Sequence, residues 1–267
     1  MITDQGPDLR LSNLEHHAMR VDTNRLASLV ATAQPADVNR LIGITTWYAH
    51  YEQAVDDHHM AEDAVVYPAL LERDPSFADA DAELEGQHRV LADRLAVARE
   101  SVQGLAAASA GSSWERERDD AVAATRALRE AVSAHLDHEE DVAFSRYRRV
   151  FTAAEFAALA DTARMLVGAR AVAFAGPWVL DHATPVELTR LLADQPPLLR
   201  VLYRLVLRPR YAHLARPLRD TTPSRRKMTC PPFPGECDRP SRPEPSTGSS
   251  PATSRCARWS RFPGSWP

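Results

Sequence analysis

Four stretches of this sequence repeat apolar residues at alternating three- and four-residue steps. That period constrains the fold more than any other feature. In the second stretch the series is Leu41, Ile44, Tyr48, Tyr51, Val55, His58, Glu62, Val65 and Ala69. In the third it is Leu84, His88, Leu91, Leu95, Ala98, Val102 and Leu105, and in the fourth Ala121, Thr125, Leu128, Val132, His135, Glu139 and Val142. A less clean first series runs through His16, Met19, Thr23, Leu26 and Val30. Such spacing lays its members along one side of an α-helix, whereas a strand would alternate every second residue. Four amphipathic helices joined by short links predict an all-α chain, an up-down-up-down four-helix bundle.

Local signals set the expected boundaries. Ser12 with Glu15 reads as a capping box opening a helix to about Ala33, before Pro35. A second helix runs from near Asp37 to Pro68 or a turn beyond. A third runs from near Phe77 to the Ala/Gly/Ser stretch at 106–113. Ser112 with Glu115 opens a fourth, to about Arg149. Thr152 with Glu155 caps a fifth that ends near Gly168, and Gly176–Trp178 reads as a break. Thr184 and Glu187 cap a further helix with Pro185 at its first position, which Pro196 and Pro197 stop. A short helix then reaches about Leu207. No repeat of 20–50 residues is visible.

Composition changes abruptly near residue 221. The last 47 residues hold 10 of the 20 Pro, all three Cys and the only Lys, and carry a net charge of +5 against −9 for the first 220. The expected organisation is a bundle at 12–150, a helical extension at 151–220 and a disordered Pro/Ser/Arg-rich tail at 221–267. The body, free of Cys, has no disulfide scaffold and no thiol chemistry. Its acidity argues against nucleic-acid binding. No apolar run reaches the ~20 residues of a membrane span, and the N-terminus lacks a secretory apolar segment. A soluble, cytoplasmic protein is expected.

The apolar stripes are interrupted only by particular residues. Each helix turns one His toward the core (His16, His58, His88, His135), and two of them add a Glu four residues later (Glu62, Glu139). Residues i and i+4 of a helix lie about 40° and about 6 Å apart, so one ion can meet both side chains. Unpaired carboxylates in an apolar core are costly. A pair of divalent or trivalent cations would neutralise them and occupy the imidazole lone pairs. A lone His on an apolar stripe is ordinarily a hydrogen-bonded core residue. Four His and two Glu on the stripes together favour a metal site.

The segments Leu14–Arg20 (LEHHAMR), His58–Asp63 (HHMAED) with Tyr67–Leu70 (YPAL), Glu85–His88 (EGQH) and His135–Glu140 (HLDHEE) resemble the hemerythrin-like, or HHE cation-binding, family. The resemblance covers about residues 12–150. Residues 176–215 are similar to a C-terminal extension common in actinobacterial members. It implies that His16, His58, Glu62, His88, His135 and Glu139 bind two non-haem iron ions, oxo- or hydroxo-bridged, with Glu62 and Glu139 bridging. Manganese accepts the same ligands. The chain departs from oxygen-carrying members at two places. Leu84 and Ala92 stand where a second third-helix His is expected, and Glu140 holds the position of an Asp five residues after His135, while Glu139 lies on the stripe. The implied ligand count leaves a position open on each metal, which Glu85 or His59 could fill.

The implied function is binding or sensing of O₂, NO, peroxide or iron. The alternatives are a di-iron oxidoreductase decomposing peroxide and a metal-free helical interaction protein. His17 is the alternative first-helix ligand. His59, whose face carries Glu52 and Asp56, reads as solvent-facing or outer. His50 reads as a boundary residue and His138 as an outer partner of the site. Tyr48 and Tyr51 read as core, and His182 and His213 have no evident partner. Six Arg between Pro197 and Arg219 read as the outward face of helices capping the bundle, with an anionic membrane as the other reading.

Overall fold

The computed structural model describes residues 6–108, 111–193 and 195–219, and the tail expected to be disordered lies outside them. Among the described residues every element is helical. α1 spans Arg10–Thr32 and α2 Val38–Ala61, which continues through a π-helical turn, Glu62–Val66, into α3, Tyr67–Arg73. α4 spans Ala78–Ala107 and α5 Ser112–Glu139, which passes through a second π turn, Glu140–Phe144, into α6, Ser145–Val150. α1, α2, α4 and α5 form the expected bundle, α4 packing on α2 and α5, and α5 on α1.

The stripes become the core. Leu84, Leu91, Leu95, Ala98, Val102 and Leu105 of α4 are buried, as are Leu41, Ile44, Tyr48, Tyr51 and Val55 of α2. The Tyr48 hydroxyl donates to the Leu95 carbonyl at 3.0 Å, and that of Tyr51 to Met19 at 3.4 Å, so both tyrosines are core residues with their polar ends satisfied.

Two stripes then shift where an unbroken α period cannot follow them. A π turn adds one residue to the local ladder and rotates everything beyond it. Beyond Glu62 the buried positions are Tyr67 and Leu70, while Val65 and Ala69 are only half-buried. Beyond Glu139 they are Ala143, Phe144 and Tyr147 in place of Val142.

Two expected caps are not made. Asp8 Oδ1 accepts the backbone N–H of Arg10 at 3.0 Å, so α1 starts at Arg10 and Ser12 falls inside its first turn. Ahead of α5 the capping position is Gly111 rather than Ser112. Its φ of +122° is a backbone that side chains other than hydrogen rarely tolerate.

α7, Ala153–Asp181, opens on the expected Thr152–Glu155 box, with the Thr152 N–H 2.9 Å from Glu155 Oε2. Gly168, at φ +80°, bends it by 117° into arms at Ala153–Ala169 and Ala171–Asp181. The break expected at Gly176–Trp178 is absent, because the second arm runs helically through Pro177 to Asp181. Docking holds it. Trp178 is fully buried, and its Nε1–H donates to Asp22 Oδ2 at 2.9 Å. His182 Nε2 lies 3.0 Å from that oxygen, and Arg25 lies 2.5 Å from Oδ1.

α8 spans Pro185–Ala193 behind the Thr184–Glu187 box. α9, Pro197–Leu202, continues through a third π turn, Tyr203–Leu207, into α10, Arg208–Leu214, and α11, Arg216–Arg219, so helix extends past the expected end at Leu207. Trp178, Val179, Tyr211, Ala215 and Leu218 share one apolar core with the bundle. α11 approaches α2 so closely that a Cβ on Gly43 would stand 2.5 Å from Pro217 Cγ. No single helix among the described residues is long and apolar enough to cross a membrane.

Candidate metal centre

At one end of the bundle the interrupting residues meet. His16, His58, Glu62 and Glu139 offer ligand atoms within 4.8 Å of one another, and so do His59, His88 and His135. The two carboxylates lie between the groups. Glu62 Oε1 is 3.1 Å from His58 Nε2, while its Oε2 is 3.7 Å from His88 Nε2. Glu139 Oε2 is 3.5 Å from His16 Nε2 and 3.8 Å from His135 Nε2. All six residues expected from the sequence are thus brought together.

The imidazoles are oriented from outside. His16 Nδ1 lies 2.9 Å from Glu140 Oε1, His88 Nδ1 2.9 Å from Asp63 Oδ1, and His135 Nδ1 3.0 Å from Gln87 Oε1. His58 Nδ1 faces Glu15 Oε2 at 3.6 Å. In the three hydrogen bonds the partner is an acceptor, so the outer nitrogen of His16, His88 and His135 carries the proton and the Nε2 lone pair faces inward. The result is a set of buried atoms with no hydrogen-bond partner: Nε2 of His16, His58, His59, His88 and His135, Oε2 of Glu62, and Oε2 of Glu139. Buried polar atoms are almost always paired, and seven orphans in one chamber are what an ion's ligands look like.

The carboxylate that follows each inward Glu completes the design. Asp63 reaches His88, and Glu140 reaches His16 while also accepting from Arg20 Nη1 at 2.7 Å. Arg20 spans to Asp137 as well, at 2.7 Å. The His16 hydrogen bond, with Arg20 behind it, holds Glu140 down to about 2.

Without a cation the electrostatics are unbalanced. Burial and the Glu62 charge push Glu139 well above the usual carboxylate range. Burial raises Glu62 too, but His58, His59 and His88 outweigh it and hold that carboxyl low. Burial, with His88 and His58 nearby, pushes His135 down to about 3 and His59 well below the usual histidine value. Neutral imidazoles are the ligating form.

Two residues weighed as extra ligands separate clearly. Glu85 is exposed and pairs with Arg89 at 3.7 Å, outside the chamber. His59, read from the sequence as solvent-facing or outer, is buried, its ring stacked on His88 with centroids 4.1 Å apart and set edge-on to His135 at 5.1 Å. The polar residues on its face misled. Glu52 is not solvated but paired with Arg99 at 2.9 Å, across the boundary with α4. The usable signal was that Val55, His59 and Glu62 also follow a four-three step.

His17 is exposed, with its ring 6.1 Å from that of His182. His138 turns to Glu83 at 3.2 Å rather than to the chamber. Tyr67 lies closer than Tyr48 or Tyr51. Its ring is stacked 6.0 Å from His88, and its hydroxyl is buried with no hydrogen-bond partner.

Among known proteins, no curated protein and no solved structure matches the chain. A family model, the hemerythrin HHE cation-binding domain, matches residues 11–147, about half the sequence and the whole of the bundle that carries the site. The chain belongs to that family.

Proposed function

We propose that this hemerythrin HHE protein holds two non-haem iron ions in the chamber and uses them to bind or sense a small ligand such as O₂, NO or peroxide. The carrying observation is the set of seven orphaned inward atoms, which fit two ions and little else. One ion would take His16 and His58, the other His59, His88 and His135, with Glu62 and Glu139 shared. Iron so held supplies Lewis-acid and redox chemistry.

The chain's own residues do the rest. Glu140, Asp63 and Gln87 fix the imidazoles and keep their outer protons in place. The apolar layer of Tyr67, Phe144 and Tyr147 shields the chamber from bulk water. Burial, with Glu62 and Glu139 nearby, pushes the Tyr67 hydroxyl well above its ordinary value, which favours the protonated form. An unpartnered O–H beside the centre is a hydrogen-bond donor for a bound ligand. It is also the feature that favours the second reading, peroxide decomposition.

Metal analysis with an optical spectrum on wild type and Glu62→Ala tests the proposal. Two irons per chain in wild type, lost in the variant, are expected. Less than one metal per chain from iron-replete cells refutes it and leaves a metal-free helical protein. Oxygen release from peroxide separates the enzyme from the sensor.

A further inference from the structure

The helix that runs from α9 through the third π turn into α10 has two unlike sides. Tyr203 and Tyr211 are buried against the rest of the protein. On the other side lie Leu198, Val201, Leu202, Leu205 and Val206, all exposed, with Leu198 at 80% and Leu205 at 72%. The 3.6-residue period groups Leu198, Val201 and Leu202 on the side away from Tyr203, and within the π turn Leu205 and Val206 are exposed as well. Arg200, Arg204 and Arg208, at steps of four, follow one border of that face, and Arg210 lies beyond. No acidic residue occurs from Gln195 to Arg219. Among the described residues Arg200, Arg204, Arg208 and Arg210 have no ion-pair partner.

The reading the sequence favoured, helices capping the bundle with Arg outward, does not account for these leucines and valines, which a cap alone would turn inward. They point out instead. A contiguous exposed apolar strip on a folded protein marks a surface that something covers. An apolar face bordered by unpaired Arg matches the layering of a bilayer surface, with acyl chains beneath and anionic headgroups at the level of the guanidinium groups.

We propose that the outward face of Pro197–Leu214 docks this protein onto an anionic lipid surface, Leu198, Leu202 and Leu205 entering the acyl boundary and Arg200, Arg204 and Arg208 meeting the phosphates. The attachment is peripheral, along the helix, and independent of whether the metal centre is loaded.

The test is co-sedimentation of the full chain with vesicles of phosphatidylcholine alone and of equal parts phosphatidylcholine and phosphatidylglycerol. Binding to the mixed vesicles at least roughly tenfold tighter than to neutral ones, and weakened by salt, is expected. Leu202→Asp with Leu205→Asp should lower it by roughly tenfold or more. Arg204→Glu with Arg208→Glu should do so by roughly 25-fold, at about fivefold per Arg removed. Metal content and far-UV circular dichroism should not change, since these side chains are exposed. No preference for anionic vesicles overturns the proposal. So does binding that survives both double variants, which would place it on the basic residues after 220. A dimer in sedimentation velocity that the Leu variants dissociate, without vesicle binding, would show that a second copy covers the strip.

Discussion

Replacing His59 with alanine should remove one metal ion from the chain and leave the other. The group formed by His16, His58, Glu62 and Glu139 keeps all four of its ligand atoms, whereas the group of His59, His88 and His135 loses one imidazole of three. Loss of a mere outer partner of a ligand costs about 10–100-fold in metal affinity. Loss of the ligand itself should reach at least the upper figure, about 100-fold or about 2.7 kcal/mol.

The same amount should appear as lost metal-linked stability, because an ion that binds only the folded chain stabilises it by its binding free energy. Without metal the variant should differ little from wild type. The truncation removes packing, but it also removes an orphaned buried nitrogen, and the two effects oppose each other. The assay is chelator competition with metal counting, alongside urea unfolding with and without iron. His17→Ala, at an exposed neighbour of the site, is the matched control. A His59→Ala protein that keeps two ions and competes with chelator like wild type would refute the role given to His59.

Tyr67→Phe should retain both metals but change the affinity or spectrum of a bound small ligand, read by titration with NO; an unchanged titration removes the proposed donor. Gln87→Leu deletes the acceptor facing His135 Nδ1 and should weaken metal binding about 10–100-fold, and by leaving that buried N–H unpaired it should also cost about 1 kcal/mol or more of metal-free stability. Asp22→Ala leaves the buried Trp178 N–H without its acceptor and should cost about 3 kcal/mol in urea unfolding. Burial and the neighbouring Glu52 and Asp57 push Asp56 up to about 6, so its charge opposes folding above that pH and not below the ordinary aspartate range. Asp56→Asn should therefore stabilise by roughly 1 kcal/mol at pH 7, a figure discounted for solvent screening, and by nothing near pH 3.

The bundle was legible because each stripe in α4 and α1 is a straight α period, and all seven α4 positions from Leu84 to Leu105 are buried as the spacing requires. The chemistry was legible for the same reason: His16, His58, His88 and His135 interrupt stripes that are otherwise apolar or nearly so. Legibility failed wherever the ladder changes step. The π turn at Glu62–Val66 carries the buried face from Val65 and Ala69 to Tyr67 and Leu70, which hid Tyr67 from a reading at constant period. His59 was hidden differently, since Glu52 signals solvent only if Arg99 across the α2–α4 boundary is ignored. The helical run through Pro177 was invisible because its cause, the contact of Trp178 with Asp22, joins residues 156 positions apart.

The crossed carboxylates give the bundle a reciprocal logic. The α1–α2 hairpin carries His16, then His58, Glu62 and Asp63; the α4–α5 hairpin carries His88, then His135, Glu139 and Glu140. The same 77 residues separate His58 from His135, Glu62 from Glu139 and Asp63 from Glu140. Asp63 steadies the histidine of the other hairpin, and Glu140 returns the favour to His16. Neither hairpin orients its own first imidazole. A chain cut between α3 and α4 would leave one half with His16 and Asp63 but not Glu140, and the other with His88 and Glu140 but not Asp63. The chamber therefore reads assembly as a coincidence: His16 and His88 are aimed only when both halves have found each other, and an ion held there would tie the two together.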